Sequence, residues 1–426
     1  MIDQVRRLSL AVVFLCAAAC SALQSAREPA PARVSPLTLL VFADTGYHYD
    51  YLEKEDYEAV VTEAQFRAKE RQDWIEDKRP IEELDFPPVY KLPRNGSIIS
   101  ASGQAPVATA MRSYCANQGC DFATLLGDNI YPDGATAGAD GIDDALRFRD
   151  LLTIPYGPLG DGRKDFRIYA VLGNHDWHTS REGAMAQVRF METSPPFYMK
   201  GLFYRIVPPA GRGAVEIFAI DTQVLLAGTT IYKAVLADDA AEAPSTKLEK
   251  LEPWAAPQNE AERNMVGWLE AALADSKARW KVVIGHHPLW STAGSKFEQA
   301  RALRRLILPT LCRQADLYLA GHEHTLEVHT DDCSQALAGS KLAPLPQVVS
   351  GSAARMRPIN SAFIRQQLKA NPQLETLWSR GLTWGFSHLT FDGDKVTVRM
   401  VETPRDSSGT TQVTFEHTFT RRTAAD

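Results

Sequence analysis

Several short fragments of this sequence close an apolar run on a side chain that can bind a cation. "LTLLVFADTG" closes on Asp44, "CDFATLLGD" on Asp128, and "FRIYAVLGNHD" on Asn174, His175 and Asp176. "VEIFAID" closes on Asp221, "WKVVIGHH" on His286 and His287, and "ADLYLAGHEH" on His322 and His324. Carboxylate, amide and imidazole are hard and borderline donors, a mixture that suits Fe, Zn or Mn. No thiolate accompanies them, which speaks against a structural zinc site. One carboxylate can bridge two cations, and two metals ~3.5–4 Å apart can clamp a phosphate. A lone Gly-His-x-His would carry little weight, because a buried histidine is more often only hydrogen-bonded. The weight lies in the ordered series DxG, GDxxY, GNHD, GHxP, GHxH, each ending an apolar run. The second of these, "LLGDNIYPDG", raises a question of its own. Tyr131 stands three residues after Asp128, and a tyrosine in such a place ordinarily belongs to the core.

Apolar runs of this length bounded by turn residues read as buried strands. Polar residues at their C-terminal ends lie where α/β folds place ligands. Helices fit between them. In "AERNMVGWLEAALADS", Met265, Trp268, Leu269, Ala272 and Leu273 recur at helical spacing. "SKFEQARALRRLILPTLC" repeats the pattern with Leu303, Leu306, Ile307 and Leu311. After Gly385 the texture becomes alternating, and "FSHLTFDGDKVTVRMVE" reads as two antiparallel strands joined by an Asp-Gly turn. "TQVTFEHTFT" is a further strand. The rhythm breaks over residues 48–105, an insertion expected near the mouth of the site. There Tyr57, Val60, Val61 and Ala64 fall at helical spacing, which predicts a solvated surface helix ahead of a specificity lid.

Composition fits a folded protein with a large core: 426 residues, 45% hydrophobic and 23% charged. A net charge of -6 argues against a general nucleic-acid binder, which carries a basic face. Residues 1–22 read as an export signal, with Arg6 and Arg7, an apolar run from Leu8 to Ala19, and then small residues. That run is too short to span a bilayer. Cleavage after Ala17-Ala18-Ala19 would leave Cys20 first, where bacterial lipoproteins carry their lipid, although Ala17 stands where leucine is preferred. Contact with a membrane is expected only through such a lipid. Residues 23–36 form an Ala/Pro/Arg-rich flexible tether, and 37–422 the catalytic domain. Cys115, Cys120, Cys312 and Cys333 remain after the signal. An even number in an oxidising compartment suggests two disulfides. Local pairing, Cys115 with Cys120 and Cys312 with Cys333, is expected, although connectivity cannot be read from sequence.

The fragments "FADTG", "LLGDNIY", "LGNHD", "IGHHPLWS" and "AGHEHTLEV" resemble the metallophosphoesterase superfamily, and within it the small tartrate-resistant purple acid phosphatases. "IFAIDT", "WLEAAL", "VVSGSA" and "GFSHL" are softer matches. The resemblance runs over about residues 37–421 and is weakest in 48–105 and 225–260. It implies an α/β fold, a four-layer αββα sandwich of two mixed sheets flanked by helices. It also bears on Tyr131. Most of the superfamily begins with Asp-x-His, and here the third position is Gly46. In purple acid phosphatases a tyrosine three residues past the bridging Asp supplies the missing bond. Carried over, the first metal takes Asp44, Asp128, Tyr131 and His324, and the second takes Asp128, Asn174, His286 and His322. The resemblance implies Fe(III) in the first site and Fe, Zn or Mn in the second.

His175 is expected to face bound phosphate as a catalytic group, with Asp176 orienting it. Asn174, His175 and His178 are the expected substrate contacts, although "HDWH" departs from the family's closer spacing. His287 reads as a packed histidine and Asp221 as structural. The implied reaction is hydrolysis of a small phosphomonoester by attack of a metal-bound hydroxide, with His175 stabilising charge or protonating the leaving group. Two alternatives stand beside it: a phosphodiesterase or nucleotidase of the same fold, and a secreted non-catalytic binding protein on this scaffold.

Overall fold

The structure is a computed structural model that describes residues 36–211, 213–229, 251–294, 297–339, 342–406 and 408–422. The export signal and nearly all of the tether lie outside the described residues. Strands β1 (Leu37–Phe42), β2 (Val89–Lys91), β3 (Ile98–Ser100), β4 (Phe122–Leu126), β5 (Ile168–Val171), β6 (Phe197–Tyr198), β7 (Tyr204–Ile206) and β8 (Val215–Ala219) make up the first half. The second half holds β9 (Trp280–Ile284), β10 (Leu317–Ala320), β11 (Leu326–Asp331), β12 (Leu345–Ser350), β13 (Leu374–Arg380), β14 (Trp384–Asp392), β15 (Lys395–Thr403) and β16 (Gln412–Thr420). They assemble into two 7-stranded sheets, ordered β16-β15-β14-β1-β4-β5-β6 and β13-β11-β12-β10-β9-β8-β7, with β2 and β3 paired apart.

Each sheet has a parallel centre and an antiparallel flank. β1, β4, β5 and β6 run parallel, as do β8, β9, β10 and β12. The central strands β4, β5, β8 and β10 are buried along their whole length, as expected of strands covered on both faces. Helix Gln104–Gln118 packs on β14 and β15. Helix Met265–Asp275 packs on β8 and on helix Phe297–Gln314. β11 and β12 of one sheet face β14 of the other, so helices flank two sheets in an αββα sandwich. Met265, Leu269, Ala272 and Leu273 are buried as their spacing predicts. The β14–β15 hairpin forms as well, with its two-residue loop on Gly393 and Asp394. Gly393 sits at φ 59, which suits a glycine in the first loop position. The loop therefore falls one residue later than the predicted Asp-Gly.

The insertion differs from its predicted helix. A short turn, Lys54–Glu58, stops at Ala59, which is extended. A second helix, Glu63–Glu76, starts from Thr62 in a reciprocal capping box with Gln65. The buried face of that helix is Phe66 and Trp74, while Val60 is 61% exposed. The Thr-x-x-Gln start signal outweighs an apolar spacing that crosses it. A small satellite core gathers Leu52, Leu92 and Ile99 under Tyr47, Tyr49, Tyr57 and Tyr90. Both disulfides pair locally, Cys115–Cys120 and Cys312–Cys333.

Candidate metal centre

The parallel registers set the C-terminal ends of β1, β4 and β5 side by side in one sheet and those of β9 and β10 in the other. Asp44, Asp128 and Asn174 follow the first group, and His286, His322 and His324 the second. Bonds between the sheets lock the two groups together. His286 Nδ1 lies 2.8 Å from the Leu126 carbonyl oxygen, and the His322 backbone N–H donates to Asp44 Oδ2 at 2.8 Å. Asp44, Asp128 and His322 all hold the left-handed backbone region, at φ 57, 52 and 69. Each such residue costs ~1–3 kcal/mol, and strain of this kind collects where function demands a side-chain direction. Space is equally tight: a Cβ on Gly173 would come within 2.2 Å of Asp128 Oδ1.

Two sets of donor atoms converge. The Tyr131 hydroxyl lies 3.1 Å from Asp44 Oδ1, 2.8 Å from Asp128 Oδ2 and 3.2 Å from His324 Nε2. In the second set, His286 Nε2 lies 3.2 Å from Asn174 Oδ1, 3.3 Å from Asp128 Oδ1 and 3.0 Å from His322 Nδ1. Asp128 belongs to both sets, one oxygen to each. All seven residues are buried. The Asp-x-His position is closed by backbone, since a Cβ on Gly46 would sit 2.4 Å from the Asn129 carbonyl oxygen.

The donor chemistry fits cations. If His286 Nδ1 carries its proton toward Leu126 O, the Nε2 lone pair points at the lone pairs of Asn174, Asp128 and His322. The Tyr131 hydroxyl has one proton for three acceptors. Burial and neighbouring charge shift the protonation of these groups. Burial opposes charge on His286, yet the Asp128 carboxylate beside it outweighs burial and pushes its pKa up to about 10. Burial likewise opposes ionisation of Asp128, but His286 and His175 hold its carboxyl well below the usual range. Asp44 is held well above that range by burial, which the neighbouring Asp128 charge reinforces. Burial, then the charges of Asp128 and Asp44, raise the Tyr131 phenol far above its ordinary value. Only a strong Lewis acid would ionise that phenol at acid pH.

The surrounding residues sort differently from expectation. Asp176 does not orient His175. Its carboxylate accepts from the backbone N–H groups of Gly173 at 2.8 Å, Asn129 at 3.0 Å and Ile130 at 3.1 Å, clamping the loop that carries Asp128 and Tyr131. His175 is instead fixed by Nδ1 against the Pro132 carbonyl oxygen, with its backbone N–H on Asp128 Oδ1 at 3.0 Å. His178 lies at the rim, its ring 4.4 Å from that of His175 and its Nδ1 3.2 Å from Asp133 Oδ1. His287 is packed, with Nδ1 2.7 Å from Thr222 Oγ1. Asp221 caps helix Thr222–Ala227 through Val224 N and accepts from Trp177 Nε1 at 3.0 Å. Gln299, Arg355 and Arg357 carry no motif and were not anticipated. Gln299 Oε1 lies 3.0 Å from His322 Nε2, a contact that holds the ring's orientation. Arg355 follows the soft "VVSGSA" match, and its guanidinium lies over the Tyr131 ring.

Residues 37–326 match the model described as calcineurin-like phosphoesterase. Tartrate-resistant acid phosphatase type 5 of Oryctolagus cuniculus is 25% identical over 293 residues, which are 67% of this chain and 76% of that one. Purple acid phosphatase 4 of Arabidopsis thaliana is 27% identical over 230 residues, 53% of this chain and 58% of its own. Among solved structures, GAP50, the anchor in the inner membrane complex of Plasmodium, aligns with a TM-score of 0.54 at 15% identity over 91% of this chain and 90% of that one. Purple acid phosphatase from yellow lupin (Lupinus luteus) seeds aligns with a TM-score of 0.50 at 16% identity, over 92% of this chain and 55% of its own. The structural likenesses show a shared fold.

Proposed function

The chain belongs to the calcineurin-like phosphoesterase family and is a phosphoric ester hydrolase, and from that premise we propose that it is a dinuclear-metal acid phosphatase acting on small phosphomonoesters. One observation carries the reading: the Tyr131 hydroxyl stands within 3.2 Å of Asp44, Asp128 and His324, in place of a histidine that Gly46 cannot supply. Asp44, Asp128, Tyr131 and His324 would hold the first ion, and Asp128, Asn174, His286 and His322 the second. Phenolate is a hard anion, which favours Fe(III) first, with Fe, Zn or Mn second. When bound, two such ions would supply Lewis acidity, polarising phosphoryl oxygens and lowering the pKa of water in the site.

The protein's own groups do the rest. Asn174 would contact substrate as well as metal. His175, with Nδ1 committed to Pro132, keeps Nε2 for the substrate. Burial pushes its pKa down to about 4, so in acid, with a phosphate dianion beside it, its protonated form would stabilise charge on the phosphoryl group or hand a proton to the leaving alkoxide. His178, beside it at the rim, would meet the leaving group. Asp176 holds the loop under them rather than the reaction. We also propose that residues 1–22 direct export, 23–36 tether the domain, and 37–422 form the catalytic unit, with Cys20 the position for a lipid. The disulfides suit an oxidising compartment.

The test is an absorption spectrum and metal analysis of iron-loaded wild type and Tyr131→Phe, beside hydrolysis of 4-nitrophenyl phosphate and bis(4-nitrophenyl) phosphate. Wild type should absorb in the visible through phenolate-to-iron charge transfer and prefer the monoester. Tyr131→Phe keeps the ring and should lose the band, hold iron poorly and drop in kcat by orders of magnitude. An active, oxidised, iron-loaded wild type without colour, or a variant unchanged in colour and metal content, defeats the tyrosine-ligated reading. Preference for the diester turns the assignment to a phosphodiesterase.

A further inference from the structure

Arg355 stands at the mouth of the site with its donors unspent. Its Cζ lies 5.0 Å from the Tyr47 ring centroid and 5.5 Å from that of Tyr131. Tyr47, the residue just before the insertion, packs against the insertion's satellite core, and the Tyr131 hydroxyl lies among the converging donor atoms. Contact with ring faces holds a guanidinium without consuming its N–H groups. Among the described residues Arg355 makes no hydrogen bond and no ion pair. Arg357, two residues on, is committed by contrast, with Nη1 on Glu323 Oε2 at 2.7 Å. The positive field of Arg355 reaches Tyr131 and His324, members of the first donor set, and His175 beside it.

The loop carrying Arg355 is braced on both sides. Ala354 N–H donates to the Asp44 carbonyl at 3.2 Å and Arg357 N–H to the His324 carbonyl at 2.8 Å. From the insertion, Arg79 Nη1 donates to the Pro358 carbonyl at 2.9 Å, and Asn360 Nδ2 reaches the Asp77 carbonyl at 3.0 Å. Backbone and stacking together fix where the guanidinium points. Asp56 and Glu70 feel its charge from the insertion yet stand beyond ion-pair distance. A planar fork of free donors beside a phosphate site matches two phosphoryl oxygens at once.

We propose that Arg355, stacked between Tyr47 and Tyr131, is an anion-binding residue that grips phosphoryl oxygens of the substrate and of inorganic phosphate. This rests on phosphate binding next to Tyr131, and it gives the insertion a part in substrate affinity. The test is calorimetric titration of inorganic phosphate into metal-loaded wild type, Arg355→Ala, Arg355→Lys and Tyr47→Ala, beside KM and kcat on 4-nitrophenyl phosphate. Arg355→Ala should raise the phosphate Kd and the KM ~10-fold or more, as loss of charged hydrogen bonds implies, with metal content and Tm unchanged. Arg355→Lys, which keeps charge and bulk but not the fork, should recover part of the affinity, and millimolar guanidinium should partly rescue Arg355→Ala. Tyr47→Ala should fall between wild type and Arg355→Ala. A folded, metal-replete Arg355→Ala or Arg355→Lys whose Kd and KM stay within two-fold of wild type overturns the proposal, as does a lowered Tm with unchanged phosphate affinity. Phosphate binding that depends on Arg355 in a wild type that hydrolyses neither ester would keep this assignment and remove the phosphatase reading.

Discussion

The backbone of residues 129 and 130 fills the space a side chain at position 46 would need, with Asn129 O at 2.4 Å and Ile130 Cα at 2.6 Å from a Cβ built there. Gly46→Ala should therefore cost ~1–3 kcal/mol by overpacking and loosen the Asp44–Asp128 spacing. Thermal unfolding and metal counts would show it, and an unchanged Tm would mean that the 129–131 loop yields. Asp221 predicts a pH effect. Burial pushes its carboxyl up to about 7 from 3.8. Between those two values the folded protein binds this proton more tightly than the unfolded chain, so the contribution to stability is full below the window and shrinks as pH rises through it. Asp221→Asn cannot ionise; it keeps one oxygen to accept from Val224 N–H and gives up the second oxygen that accepts from Trp177 Nε1. The loss of Tm between pH 5 and pH 7.5 should be smaller in the variant; an identical loss would assign the effect to other acids.

Among the elements, helix Phe297–Gln314 shows how a covalent link and a cap share work. Cys312 near its end is bonded to Cys333 just past β11, at a sequence separation of 21. Arg422 Nη2 donates to the Cys312 carbonyl at 2.9 Å and Nη1 to Leu311 at 3.3 Å, satisfying carbonyls that a helix end leaves open. Replacing both cysteines by serine should cost ~3 kcal/mol, the value for a loop of about this length. Among the described residues neither cysteine is hydrogen-bonded to a residue of the candidate metal centre, so kcat at 25 °C should hold. A double variant with unchanged unfolding free energy would show that Arg422 and packing suffice. The helix Glu63–Glu76 makes the complementary point. Its start was legible in Thr62 and Gln65, and the apolar spacing across that start misled because two separate segments happened to share a period.

For the whole molecule, neither sheet holds a complete site. One supplies Asp44, Asp128, Tyr131 and Asn174, and the other His286, His322 and His324. Closing the sandwich therefore assembles the chemistry, and metal binding should couple to folding of the entire unit from Pro36 onward. No helix among the described residues is long and apolar enough to cross a membrane. If residues 1–22 act as the proposed signal, protein from the native host should begin at or after Cys20. Mass spectrometry of that material checks it, and Met1 retained on cytosolic protein would defeat it.

Donor chemistry, the strands that end on it and the order in which they come are all readable along the chain. Those are local properties, carried by residue type and by apolar runs a few residues long. Local disulfide pairing was within reach for the same reason. Which groups meet depends on the folded arrangement. His286 finds Leu126 across 160 residues and His322 finds Asp44 across 278, contacts without any local signature. Asp176 reads as a catalytic partner by adjacency, yet the tight 3-10 turn at His175–Trp177 aims its carboxylate at three backbone N–H groups instead. Arg355 has no motif at all. It becomes legible only when the fold sets its guanidinium over the rings of Tyr47 and Tyr131, because a side chain's freedom to bind depends on every neighbour that could have claimed it first.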